Sequence, residues 1–105
     1  MELRVADNPD KSRYEIDVDG EVVGFAEYRL GVDDGQEDIA FLHTETDERI
    51  RGMGIASQLI QASLDSARER KLAVLPFCPF VRAWIGEHRD YADLVPADRR
   101  ADFGL

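Results

Sequence analysis

The spacing of the apolar residues changes once along this chain, and that change dictates the layout of any fold it can adopt. Tyr14, Ile16 and Val18 alternate with Glu15, Asp17 and Asp19, the period of two that gives a strand one apolar face. After Asp19-Gly20 comes a second apolar-rich run, Val22, Val23, Phe25, Ala26, Tyr28 and Leu30. An Asp-Gly pair between two such runs predicts a type I′ hairpin, whose two central residues need positive φ. Residues 31–35 predict the next turn and residues 39–44 a third strand. From Ile55 the step becomes three and four. Ile55, Ala56, Leu59, Ile60, Ser63, Leu64 and Ala67 share one face, with Gln58, Gln61, Asp65, Arg68 and Glu69 opposite. This predicts an amphipathic helix of about five turns. Arg68, Arg70 and Lys71 crowd its C-terminal end, where cations complement the helix dipole.

Beyond the helix, residues 72–78 are continuously apolar, as expected of a strand covered on both faces. Pro79 then suits the first turn of a short helix, with Val81, Trp84 and Ile85 inward and Arg82, Glu87 and His88 outward. The first dozen residues are polar and read as a lead-in. Residues 96–105 read as a loosely held tail. The order β-β-β-α-β-α makes strands three and four flank a helix, so they should run parallel through a right-handed crossover. The expected class is a mixed α/β (α+β) fold: an antiparallel three-stranded meander, a long crossover helix, a parallel fourth strand and a short C-terminal helix. Ligands of such sheets favour the carboxyl ends of the strands, where a loop meets a helix N-terminus.

Composition narrows the partners. With 105 residues the chain is expected to form a single domain. Its 13 basic and 22 acidic residues leave a net charge of −9, which argues against nucleic acid or an anionic membrane as the main partner. One cysteine, Cys78, cannot staple a fold, so a reducing compartment is expected. No apolar core of a signal peptide stands in the first seven residues, and no run reaches membrane-spanning length. The expected location is cytoplasmic.

The acidity reverses at one place. Arg49-Ile50-Arg51-Gly52-Met53-Gly54-Ile55-Ala56 joins the third strand to the long helix. Gly52 and Gly54 permit close backbone approach, and the first-turn amides of a helix are unpaired donors with partial positive charge. The position suits a phosphate or pyrophosphate. It is not a Walker A loop, because no Gly-Lys-Ser/Thr follows. It is not a Rossmann fingerprint either: position 57 is Ser, the preceding unit is antiparallel, and Leu72 stands where a ribose-binding acid belongs. What fits is (Arg/Gln)-x-x-Gly-x-(Gly/Ala), read as Arg49 to Gly54. Here the chain resembles the GNAT superfamily of N-acetyltransferases. His43-Thr44-Glu45-Thr46, Pro76-Phe77-Cys78-Pro79-Phe80 and His88-Arg89-Asp90-Tyr91 extend the likeness to its compact Yjdj-type subfamily, over roughly residues 14–95.

The resemblance implies acetyl-CoA as acyl donor, a primary amine as acceptor and no metal. Thr44, Glu45 and Thr46 would contact the pantetheine arm. The motif's Arg49 is followed by Arg51, Gly52, Met53, Gly54, Ile55 and Ala56, which would hold the pyrophosphate. Thr46 and Asp47 depart from the Val and Pro common in the wider family. Cys78 is the catalytic candidate the subfamily points to, as acyl-accepting nucleophile or as acid to the departing thiolate; the alternative is an inert core thiol. His43 is the candidate base, expected to face Cys78 across the splayed strands, or else a histidine satisfied by nearby backbone. Glu27, Tyr28 and Tyr91 are weaker candidates, while Trp84 and Phe80 read as core. A tight turn at Asp19-Gly20 replaces the helices that help form the acceptor site in larger relatives. The acceptor side should therefore be open, with an acidic rim of Glu27, Asp33, Asp34 and Glu37 favouring a small amine or lysine-type acceptor. The competing reading is a CoA-binding module without efficient turnover.

Overall fold

The computed structural model describes residues 2–105. Five strands form one sheet in the order β1-β2-β3-β4-β5: β1 Leu3–Asn8, β2 Arg13–Val18, β3 Glu21–Asp33, β4 Gln36–Thr46 and β5 Ala73–Pro76. All neighbours are antiparallel except β4 and β5, which run parallel on either side of the helix α1, Ile55–Glu69. A second helix, α2, spans Pro79–Glu87, with Pro79 opening its first turn as expected. Among the described residues no helix is long and apolar enough to cross a membrane.

Local chemistry sets each boundary. Asp19 and Gly20 adopt φ of 51° and 89°, the left-handed pair that turns β2 into β3. Asp34 and Gly35 repeat this with 52° and 80°, so the turn expected over residues 31–35 contracts to two residues and both strands lengthen. Helix α1 buries Leu59, Ile60, Leu64 and Ala67 against Ile16, Ile39, Phe41 and Val74 of the sheet. It stops at Glu69, slightly short of the expected length. There Lys71 turns left-handed, its N–H donating to Arg68 O and that of Leu72 to Ala67 O, a Schellman closure.

Two expectations are corrected. The polar lead-in is an edge strand: β1 pairs with β2 from Leu3↔Val18 to Asn8↔Arg13. Only Leu3 and Val5 offer apolar surface there, too few to show a period, and backbone pairing supplies the rest. The Tyr28 hydroxyl adds a 2.7 Å hydrogen bond to Asp7. Residues 96–105 are packed rather than loose. Phe103 is buried edge-on against Phe77 at 5.3 Å, and Arg100 Nε donates to the carbonyls of Ala92 and Val95. One aromatic ring, one guanidinium and the partly buried Leu105 hold a stretch with few other large apolar residues.

Two features position the site. The β4–β5 ladder runs only from Asp38↔Ala73 to Phe41↔Pro76, closed by Cys78 N–H donating to Phe41 O at 2.8 Å. β4 continues to Thr46 with a partner only on its β3 side. Just where the strands part, Glu27 pairs with His43 but Tyr28 pairs with Phe41, which leaves Leu42 as the extra residue of a β-bulge. A bulge bends its strand and moves the following side chains to the other face. Thr44 and Thr46 thereby come to stand opposite Ala26 and Gly24.

Candidate functional site

A groove of about 680 Å³ opens between the free edge of β4 and the start of α1. His43, Thr44, Glu45 and Thr46 form one wall; Arg51, Gly52 and Gly54 with the first turn of α1 form the other. Phe80, at the start of α2, lies across its end.

The loop is shaped by its two glycines. Gly52 and Gly54 have φ of +83° and +75°, and Gly54 is the N-cap residue of α1. Its lack of a side chain leaves the helix start uncapped, and no acidic residue stands in the first turn. The amides of Gly52, Gly54, Ile55 and Ala56 have no acceptor among the described residues. Arg51 and Met53 donate theirs to Glu48 O and Ile50 O instead. A Cβ at Gly52 or Gly54 would meet nothing within 4 Å, so the space beside both positions is open. Ile50, buried beneath the loop, anchors it to the core.

Arg51 is exposed on the groove rim, 4.0 Å from Glu48. Arg49 is committed elsewhere. Its guanidinium grips Asp47 and reaches Glu21 at 2.8 Å, while its amide donates to the Asp47 carboxylate. The Arg49 side chain holds the Asp47 carboxyl down to about 2. With a depressed folded pKa, this clamp is complete above the ordinary aspartate range and is lost as pH falls toward 2. Arg49 thus fixes the turn before the loop and does not line the groove.

Met53 also stays outside the groove, its amide used and its side chain exposed. Cys78 is 3% exposed and not part of the groove wall; its sulfur sits 3.5 Å from the Thr44 hydroxyl. His43 does not face Cys78. It stands on the alternate face from Thr44, with Nε2 3.3 Å from Glu45 Oε2 and its ring edge-on to Phe25. The remaining site residues of the sequence reading, Thr44, Glu45, Thr46, Arg51, Gly52, Gly54, Ile55 and Ala56, are brought together.

Three groove residues, Ile50, Ser57 and Phe80, were not among the site residues of that reading. Ser57 lines the wall and accepts from Trp84 Nε1 at 2.7 Å, tying α1 to α2. Phe80 was expected in the core, yet is 45% exposed. It stands four residues before Trp84, on the same helical face, so the spacing carried no signal of its exposure. Trp84 is buried as expected, with His88 stacked on it at 3.8 Å. Among the described residues no three His, Cys, Asp or Glu side chains gather closely enough to hold a metal ion.

A family model described as GCN5-related N-acetyl-transferase matches residues 13–94, most of the chain and all of this groove. The chain belongs to the GCN5-related N-acetyltransferase family. Solved structures share the fold. A GCN5-like protein of Staphylococcus aureus superposes with a TM-score of 0.65 at 23% identity, covering 89% of this chain and 87% of the other. The ribosomal-protein-alanine N-acetyltransferase of Brucella melitensis is 30% identical with a TM-score of 0.56, over 61% of this chain and 45% of its own. An aminoglycoside acetyltransferase from an uncultured soil metagenomic sample, solved with sisomicin, gives 0.58 at 15% identity, over 82% and 57%. This GCN5-related chain therefore spans less than half the length of the Brucella protein. No curated protein matches it.

Proposed function

We propose that this chain transfers an acetyl group from acetyl-CoA to a primary amine. One observation carries the reading: an unpaired strand edge and a set of unbonded helix-start amides share one groove. A diphosphate needs N–H donors and positive potential, which Gly52, Gly54, Ile55, Ala56 and Arg51 offer together. An amide-bearing chain needs a strand to pair with, which β4 offers beyond Phe41. Acetyl-CoA, when bound, supplies an acetyl group already activated as a thioester. The relatives' printed names support an amine acceptor, an alanine in one case and an aminoglycoside in the other.

The chain's own part is positioning and proton transfer. His43 lines the groove and takes a proton from the incoming ammonium, oriented by Glu45. Cys78 is a positioning residue: from beneath the wall its thiol engages the Thr44 hydroxyl at the fork of the strands. Thr44 and Thr46 hold the arm along β4, and Ser57, fixed by Trp84, keeps the helix start square to the groove.

Thiol release from acetyl-CoA, followed with a panel of primary amines, tests this. Amine-dependent release is expected, with kcat reduced about a hundredfold in His43→Gln. Binding of acetyl-CoA with no release for any amine would leave the binding-module reading instead.

A further inference from the structure

At the other end of β4 lies a second cavity, of about 230 Å³, between the β3–β4 turn and the segment after α2. Asp33, Asp34, Asp38 and Asp98 line it, over a floor that includes Ala73 and Leu75. Three of these acids are exposed and ordinary. Asp38 is not. It is 9% exposed, and its carboxylate has no hydrogen-bond or ion-pair partner among the described residues. Its oxygens keep contact with solvent through the cavity, so the charge sits in an open cleft with no protein counter-ion against it. The chain also makes room for this group. A Cβ at the facing Gly31 would come within 3.0 Å of Asp38 Oδ1. The only basic residue on the wall, Arg99, is already engaged by Asp102 at 3.0 Å.

We propose that this cavity binds a primary alkylammonium group, with Asp38 as its counter-ion and Ala73, Leu75 and Pro96 against its apolar stem. An ammonium head on a short hydrocarbon stem matches a carboxylate standing over an apolar floor. The rim acids draw the cation in. From Asp38 to Thr44 the strand advances about 20 Å, so the cavity is separate from the groove and its occupancy does not depend on acetyl-CoA. Two sources share this chemistry, a free amine and a lysine side chain of a protein.

An NMR titration of the full chain tests it, with n-butylammonium chloride in one arm and a blocked Gly-Lys-Gly peptide in the other. Saturable shifts of the Asp38, Ala73 and Asp98 amides are expected with at least one probe, and the tighter probe identifies the source. Asp38→Asn, nearly isosteric, should weaken binding roughly tenfold. Gly31→Ala, which crowds the carboxylate while leaving its charge, should weaken it as well. Absence of saturable shifts with both probes would overturn the proposal. So would unchanged affinity in both variants, or displacement by magnesium chloride matched in ionic strength.

Discussion

The Thr44 hydroxyl lies 3.5 Å from the Cys78 sulfur, across the fork where β4 and β5 part. The contact joins the wall of the groove to the core and places the thiol behind that wall. A nucleophile must reach its electrophile, whereas a positioning group need only hold its neighbour.

The two roles separate in a pair of variants. Cys78→Ser keeps a partner for Thr44 and should retain kcat within a few-fold. Cys78→Ala removes the partner and should lower kcat by up to about tenfold, the worth of one modest hydrogen bond. Intact-mass measurement after incubation with acetyl-CoA should show no acetyl adduct on the protein. A trapped adduct at Cys78, with Cys78→Ser inactive, would restore the nucleophile.

Gly54→Ala tests the loop. At φ +75° a side chain costs about 1 kcal/mol of stability even with room around it. The new methyl also enters the open space beside the loop. Calorimetric titration should show acetyl-CoA affinity reduced by roughly tenfold or more, the loss of one charge-assisted hydrogen bond. The circular dichroism spectrum should be unchanged.

Burial, with the hydrogen bond to Asp7, pushes the Tyr28 hydroxyl above the ordinary tyrosine range. A group with a raised folded pKa contributes its stability fully below the unfolded value, about 10, and loses it as pH rises beyond. Denaturant melts should therefore show stability declining above about pH 10. Tyr28→Phe should cost about 1.5 kcal/mol at neutral pH and flatten part of that decline. An identical alkaline slope in the variant would refute the assignment.

Phe103→Ala should destabilise the chain by about 3 kcal/mol, since the ring is buried against Phe77. A truly loose C-terminal segment would make the change silent in the same melt.

Much of this layout was legible in the sequence because it rests on local rules. The Asp19-Gly20 turn, the α1 stripe from Ile55 to Ala67 and the parallel placement of β5 each follow from spacing and turn chemistry. The glycine loop was legible for the same reason, since positive φ selects glycine. What escaped depends on contacts between distant residues. The bulge at Leu42 is a matter of register, invisible in β4 alone, and it is why His43 and Cys78 are not neighbours. Arg49 reads as a free cation until Asp47 and Glu21 are folded against it. Strand β1 and Phe103 escaped because few apolar residues mark segments that backbone pairing and a single ring hold in place.

The most direct measurement is an amide-resolved NMR titration of the full chain with CoA. The groove account predicts saturable shifts at Gly52, Gly54, Ile55 and Ala56 and along residues 42–46, with the amides of Arg51 and Met53, already bonded within the chain, moving less. Shifts confined to another surface, or no saturable shift at those glycines, would contradict it.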